Sequence, residues 1–142
     1  MAEIQSSSTG LSGEYFVAAE LLRRGFSVGI TMGNAKAIDI LAETKRKQFC
    51  IQVKSIYKKK NSGWPMMKDK VDTKIFYVFV NLNGDKMTYP EFYICTGKEA
   101  RQKVNQYTTR GIITVSSLNN DQFKGRWDKI ITSEKDTSKQ CI

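Results

Sequence analysis

Residues 37–55 read AIDILAETKRKQFCIQVKS. Two β-favouring runs, Ala37–Ala42 and Gln48–Ile56, flank the basic turn Lys45-Arg46-Lys47, and this order predicts an antiparallel hairpin. Side chains alternate between the two faces of a strand. Phe49, Ile51 and Val53 therefore share one face, and Gln52 and Lys54 share the other. Pairing the two strands brings Asp39 near Gln52, so an acid, an amide oxygen and an ammonium converge on one sheet edge. Each has a plainer reading. Asp39 can be a strand-end turn carboxylate, and Lys54 can snorkel to solvent. Buried lysines are rare and shift pKa readily, which makes Lys54 worth following.

Upstream, Leu11–Arg24 is expected to be a helix, with Ser and Thr residues before it as possible caps and Gly25 just past its end. At about 100° per residue, Glu14 falls in the middle of an arc holding Leu11, Val17, Ala18, Leu21 and Leu22. Glu20, Arg23 and Arg24 fall on the other side, and Phe16 falls there with them. A carboxylate aimed at a core is costly unless paired, metal-bound or in a cleft. A structural salt bridge, or a helix-start carboxylate favoured by the macrodipole, would also account for Glu14.

Between the helix and the hairpin, Phe26–Ile30 reads as a strand and residues 31–36 as a turn around Gly33-Asn34. Residues 57–74 read as irregular apart from the apolar insert Trp64-Pro65-Met66-Met67. Ile75–Leu82 (IFYVFVNL) is an unbroken β-favouring run, expected of a central strand buried on both faces. Asn83-Gly84-Asp85 is a turn, Glu91–Thr96 a strand, Gly97–Tyr107 a helix, and Ile112–Val115 a short strand. Trp127 is expected to close the core. The order α-β-β-β-β-β-α predicts one α/β (α+β) domain with a mixed central β-sheet flanked by helices. Residues 1–9 are expected to form a flexible leader, 10–132 the folded domain, and 133–142 a polar tail.

The chain has 142 residues, which suits a single domain with its own core. There is no histidine, so Ser-His-Asp and Cys-His triads, His-ligated zinc and any histidine base are excluded. Cys50, Cys95 and Cys141 form no CxxC and no zinc spacing; reduced cysteines and a cytoplasmic location are the expectation. No apolar run is long enough for a membrane helix, and Met1–Gly10 lacks a signal-peptide core.

The net charge is +9. Residues 45–70 hold nine bases (Lys45, Arg46, Lys47, Lys54, Lys58, Lys59, Lys60, Lys68 and Lys70) against Asp69 alone, so this segment carries +8 of the total. Such a concentration is the footprint of a polyanion binder, or else a solvated lysine-rich loop. No basic amphipathic helix accompanies it, which disfavours a membrane surface.

Gly13-Glu14 in an opening helix, Ala37-Ile38-Asp39-Ile40, and Ile51-Gln52-Val53-Lys54-Ser55 together resemble the PD-(D/E)xK nuclease superfamily. The likeness is greatest to its restriction-endonuclease-like and Holliday-junction-resolvase-like members, in a Q-x-K variant, and covers roughly residues 10–56. It implies a mixed sheet flanked by helices and a metal site built from Glu14, Asp39, Gln52 and the Val53 carbonyl. Gln52 stands where an Asp or Glu is usual; an amide oxygen can still ligate a metal, with one negative charge fewer. Ile38 stands at a variable, non-ligating position.

The resemblance implies Mg²⁺, with Mn²⁺ as a substitute and no organic cofactor, because phosphodiester hydrolysis needs a hard cation to neutralise developing charge. Asp39 would be the principal ligand and Glu14 would complete the site. Lys54 would orient or deprotonate the attacking water, or stabilise the pentacovalent phosphate. Lys58, Lys59, Lys60, Lys68 and Lys70 would contact flanking phosphates, and Tyr57 and Trp64 could stack on bases. The implied activity is metal-dependent endonucleolytic hydrolysis of DNA, by a possible homodimer where both strands are cut. A catalytically inactive nucleic-acid-binding module on the same fold, or a subunit of a larger DNA-processing complex, remains open beside it.

Overall fold

The computed structural model describes residues 6–31, 38–57 and 62–132. The first helix, α1, spans Ser6–Leu22 and so begins five residues before the expected Leu11, within the predicted leader. It ends in a Schellman motif. Gly25, at φ 96°, donates its N–H to the Leu22 carbonyl, while Phe26 N–H reaches the Leu21 carbonyl. Glycine serves this left-handed position without a Cβ penalty.

Five strands form the main sheet: β1 (Ser27–Ile30), β2 (Ile40–Glu43), β3 (Gln48–Ile56), β5 (Phe76–Asn81) and β6 (Glu91–Thr96). Their spatial order is β1-β2-β3-β5-β6, and β3 with β5 is the parallel pair in an otherwise antiparallel arrangement. The predicted hairpin is present, with Ile40 opposite Ile51 and Glu43 opposite Gln48. β2 is shorter than expected at its start: Ile38 and Asp39 precede it, and Ala37 and the Gly33-Asn34 turn lie outside the described residues.

Alternation splits the core in two. Ile51, Val53, Val78 and Val80 face α1, together with Val17 and Leu21. Cys50, Tyr77, Phe79 and Tyr93 face a second layer that includes Trp64, Ala100 and Ile113. The run over β5 is thus continuous because each of its faces is covered.

The second layer corrects the reading of residues 57–74 as irregular. Gly63–Pro65 is a strand, β4, and Lys68–Lys70 is a 3₁₀ turn. β4 pairs with β8 (Gly111–Thr114), which pairs with β7 (Asn105–Gln106), so the chain has a second, three-stranded antiparallel sheet. The helix after β6, α2, is Gly97–Lys103, shorter than expected because β7 follows. A capping box starts it: Thr96 Oγ1 accepts from Glu99 N–H and Glu99 accepts from Thr96 N–H. Short helices α3 (Val115–Leu118) and α4 (Asp128–Ile131) complete the domain. Trp127 is 5% exposed and closes the α1 side, as expected. Cys95 is a buried free thiol, its pKa pushed up to about 12 by burial. Cys50, expected to be reduced, is instead disulfide-bonded. Among the described residues no helix is long and apolar enough to cross a membrane.

Candidate active site

The site forms where β2 leaves β3. Asp39 N–H bonds the carbonyl of Ile51 (3.0 Å), the residue already paired with Ile40 at the end of the ladder. The next N–H on that edge, from Val53, donates to Asp39 Oδ2 at 2.8 Å. The aspartate side chain has replaced a backbone partner. Ile38 and Leu41 both pack on the second layer, so strict alternation fails at Asp39, as a strand peeling away requires. In an antiparallel ladder a residue's N–H and C=O face the same neighbour. The Val53 carbonyl therefore points to the edge that β2 has vacated.

α1 delivers Glu14 to this edge through Gly13. A Cβ on Gly13 would lie 1.7 Å from Ser55 Oγ and 2.9 Å from Ser55 Cβ. Glycine is thus what lets the helix lie against β3 at this point. Ser55 Oγ is buried beneath it with no hydrogen-bond partner.

Charge is concentrated unfavourably here. Burial pushes the Glu14 carboxyl above its usual range, and the negative charge of Asp39 pushes it further. Burial also raises Asp39; the Val53 N–H and the positive charge of Lys54 pull it back without cancelling that effect. The fold therefore holds Asp39 within electrostatic reach of both Glu14 and Lys54. Among the described residues no three Asp, Glu, Cys or His side chains gather into a metal-binding group. A cation here has to use neutral oxygens beside the two carboxylates. The Gln52 amide and the Val53 carbonyl are the candidates, and all four are the hard oxygen donors that Mg²⁺ prefers.

Gln52 and Lys54 share a strand face, as predicted, and line a cleft of about 690 Å³. Lys70, Arg110, Met67 and Ile112 also line it. No lining residue is acidic. Sequence reasoning missed Arg110, since a single arginine after Tyr107-Thr108-Thr109 carries no signal until β7 and β8 are known to pair.

Not every predicted contact is gathered here. Lys45, Arg46 and Lys47 sit at the opposite end of β3, seven residues from Lys54 at the nearest, or roughly 23 Å at the rise of a strand. Lys47 lies over the Phe49 ring, 5.3 Å from its centroid. Lys58, Lys59 and Lys60 lie outside the described residues. Trp64 is not available for stacking: it is 1% exposed and donates Nε1–H to the Val80 carbonyl at 3.1 Å. The Tyr57 ring packs over Gly84, where any Cβ would strike it.

No protein-family model matches the sequence, and no curated protein matches it. Solved structures do match by shape. The bacterial homing endonuclease I-Ssp6803I aligns over 96% of this chain and 100% of its own, with TM-score 0.66 at 13% identity. The Holliday junction resolvase Hjc of Archaeoglobus fulgidus aligns over 77% of this chain and 86% of its own, with TM-score 0.52 at 17% identity. The chain has a restriction-endonuclease-like fold, a single domain around a five-stranded mixed sheet. By their names these two structures are a homing endonuclease and a Holliday junction resolvase.

Proposed function

We propose that this chain is a divalent-metal-dependent endonuclease that hydrolyses DNA phosphodiester bonds, a Q-x-K variant of the PD-(D/E)xK type. The observation that carries the proposal is Asp39, held by the Val53 N–H where β2 departs from β3 and within electrostatic reach of Glu14 on one side and Lys54 on the other. Two carboxylates that resist ionisation together are what a cation relieves. The fold of the two structural neighbours supports the same reading.

In this reading Asp39, Glu14, Gln52 Oε1 and the Val53 carbonyl would hold Mg²⁺, which when bound would supply charge neutralisation at the phosphate and a more acidic water. The Val53 N–H fixes one Asp39 oxygen and leaves the other free to ligate. Lys54 would stabilise the pentacovalent phosphate. The attacking water gives a proton to solvent as its oxygen bonds phosphorus, and the bond to the sugar oxygen breaks as that oxygen takes a proton from solvent. One chain offers one such site, so cutting both strands calls for two copies.

A plasmid nicking and linearisation assay with Mg²⁺ and with Mn²⁺ tests the proposal, with Asp39→Ala and Lys54→Ala alongside. Cleavage by wild type that both variants lose supports it. DNA retained on a gel with no cleavage by wild type favours the binding-module reading. The specific observation behind that second reading is that the described residues supply two carboxylates rather than three. Activity restored by Gln52→Glu would then locate the missing charge.

A further inference from the structure

The cleft beside the site is built differently from a surface that tracks a duplex backbone. Gln52 and Lys54 line it from β3, and Lys70 and Arg110 add two further cations. Met67 and Ile112 add apolar surface to the same lining. Phosphates need the cations and gain nothing from the thioether and the isoleucine. Sugars and base faces do gain from them. A volume of about 690 Å³ is that of a pocket enclosing a small molecule, whereas a phosphate ridge needs only a shallow groove.

The segments carrying Lys70 and Arg110 are fixed relative to each other by Gln106, an exposed residue with an unusual set of bonds. Its Oε1 accepts from Lys68 N–H at 2.8 Å, and its Nε2 donates to the Tyr107 carbonyl at 2.6 Å and the Arg110 carbonyl at 3.0 Å. Tyr107 N–H closes the hairpin turn on the Arg110 carbonyl at 2.7 Å. Behind it, Met66 N–H bonds the Gly111 carbonyl at 3.0 Å, and Gly111 lies so close that a Cβ would meet the Met66 oxygen at 2.1 Å. The 3₁₀ turn carrying Lys70 and the hairpin carrying Arg110 are thus one braced unit. Neither Lys70 nor Arg110 has an ion pair among the described residues. The backbone that carries these two exposed cations is thus fixed, which lowers the cost of bringing both to one anion.

We propose that the cleft between β3 and the β7–β8 hairpin binds an unpaired nucleotide adjoining the scissile phosphate, with Arg110 and Lys70 on its phosphates and Met67 and Ile112 against its sugar and base. This names the substrate class of the site above and rests on its being a DNA site. The enzyme would therefore favour DNA with a locally unpaired strand over an intact duplex.

The test is fluorescence anisotropy of the full chain in EDTA, so that nothing is cut. The probes are a labelled duplex and the same duplex with a short central bubble. Wild type is expected to bind the bubble about tenfold more tightly, a difference worth about one charge-assisted hydrogen bond. Arg110→Ala and Met67→Ala, both in the cleft lining, are expected to reduce that preference to less than about twofold. Gln106→Ala, which only loosens the brace, is expected to fall between. Equal affinity of wild type for the two probes would overturn the proposal. Equal weakening on both probes by Arg110→Ala would do so as well, because it would make Arg110 a plain phosphate contact. The nicking assay separates the two readings. Bubble preference that depends on Arg110 without any cleavage would sink the nuclease and leave this inference standing; cleavage without bubble preference would do the reverse.

Discussion

Gly13→Ala tests whether the active site depends on how closely α1 approaches β3. The added Cβ would stand 1.7 Å from Ser55 Oγ and 2.9 Å from Ser55 Cβ. The hydroxyl can turn away, but the carbon cannot, and ordinary carbon contacts are about 3.5–4.0 Å. The helix must therefore lift by roughly 1 Å at residue 13, carrying Glu14 with it. Overpacking of this kind costs about 1–3 kcal/mol. Alanine recovers about 1 kcal/mol through helix propensity, leaving a net loss of about 0–2 kcal/mol. A fold of ordinary stability survives that. Activity is the sharper readout, because a 1 Å misplacement of a catalytic group can cost about 100-fold. Nicking rate and urea denaturation are measured on the same preparations. The expected result is a loss of turnover far larger than the unfolded fraction explains. Partial recovery is expected in Gly13→Ala/Ser55→Gly, which removes both obstructing atoms. Wild-type turnover in Gly13→Ala, or no rescue by Ser55→Gly, would refute the reasoning.

Four further outcomes follow from individual groups. Glu14 and Asp39 titrate above the usual carboxylate range, so their repulsion is absent at low pH and grows as pH rises through their folded values. Metal-free protein should lose thermal stability over that rise. At pH 8, Mg²⁺ at about 100 times its Kd should restore about 2.7 kcal/mol, and Asp39→Asn should abolish the Mg²⁺-dependent shift in Tm. Glu20 behaves oppositely: burial pushes it up, but the Tyr89 hydroxyl, Arg24 and Arg23 outweigh burial and hold it low. Its contribution is present at neutral pH and lost as pH falls through that lowered value; Tyr89→Phe should cost about 1.5–3 kcal/mol in urea melts with kcat unchanged. Ser55→Ala removes a buried hydroxyl with no partner and should raise stability by about 1 kcal/mol, read as a higher urea midpoint. Gln52→Glu should tighten Mg²⁺ binding by isothermal calorimetry, since it adds a negative ligand.

The hairpin was legible because period-two alternation leaves little freedom: once Lys45-Arg46-Lys47 is the turn, the two apolar runs pair with Ile40 opposite Ile51. The helix was legible in position and partly in rotation: Val17, Ala18 and Leu21 of the apolar arc are buried. Leu11 and Leu22, placed on the apolar arc, are 41% and 55% exposed, while Glu20, placed on the polar side, is 3% exposed. A wheel scores each side chain alone. It cannot know that Glu20 is neutralised by Arg24 at 2.6 Å and Arg23 at 3.1 Å, and bonded by the Tyr89 hydroxyl. Phe16, the apparent misfit, packs edge-on against that same Tyr89. Of the second sheet only β8 was legible, as the short strand Ile112–Val115. β4 and β7 have three residues and two, too few for any period, and they are defined by pairing with β8 about fifty residues after β4. Arg110 and Gln106 were invisible for the same reason.

The charge pattern misleads in an instructive way. Residues 45–70 carry almost all the net charge, yet β3 runs through the middle of them and separates Lys45–Lys47 from Lys54 by its own length. What gathers the candidate site residues is the strand rather than the charge. One edge of β3 gives the Val53 N–H to Asp39. One face sets Ser55 beneath Gly13, and the other sets Gln52 and Lys54 in the cleft. This happens toward the C-terminal half of β3, where its antiparallel partner β2 ends and its parallel partner β5 continues. Open sheets bind ligands at the carboxyl ends of strands where the connection changes sense. A vacated edge there exposes backbone donors and acceptors that a continuous sheet would consume. Asp39 takes one of them, which leaves the Val53 carbonyl facing that edge beside Glu14, Gln52 and Lys54.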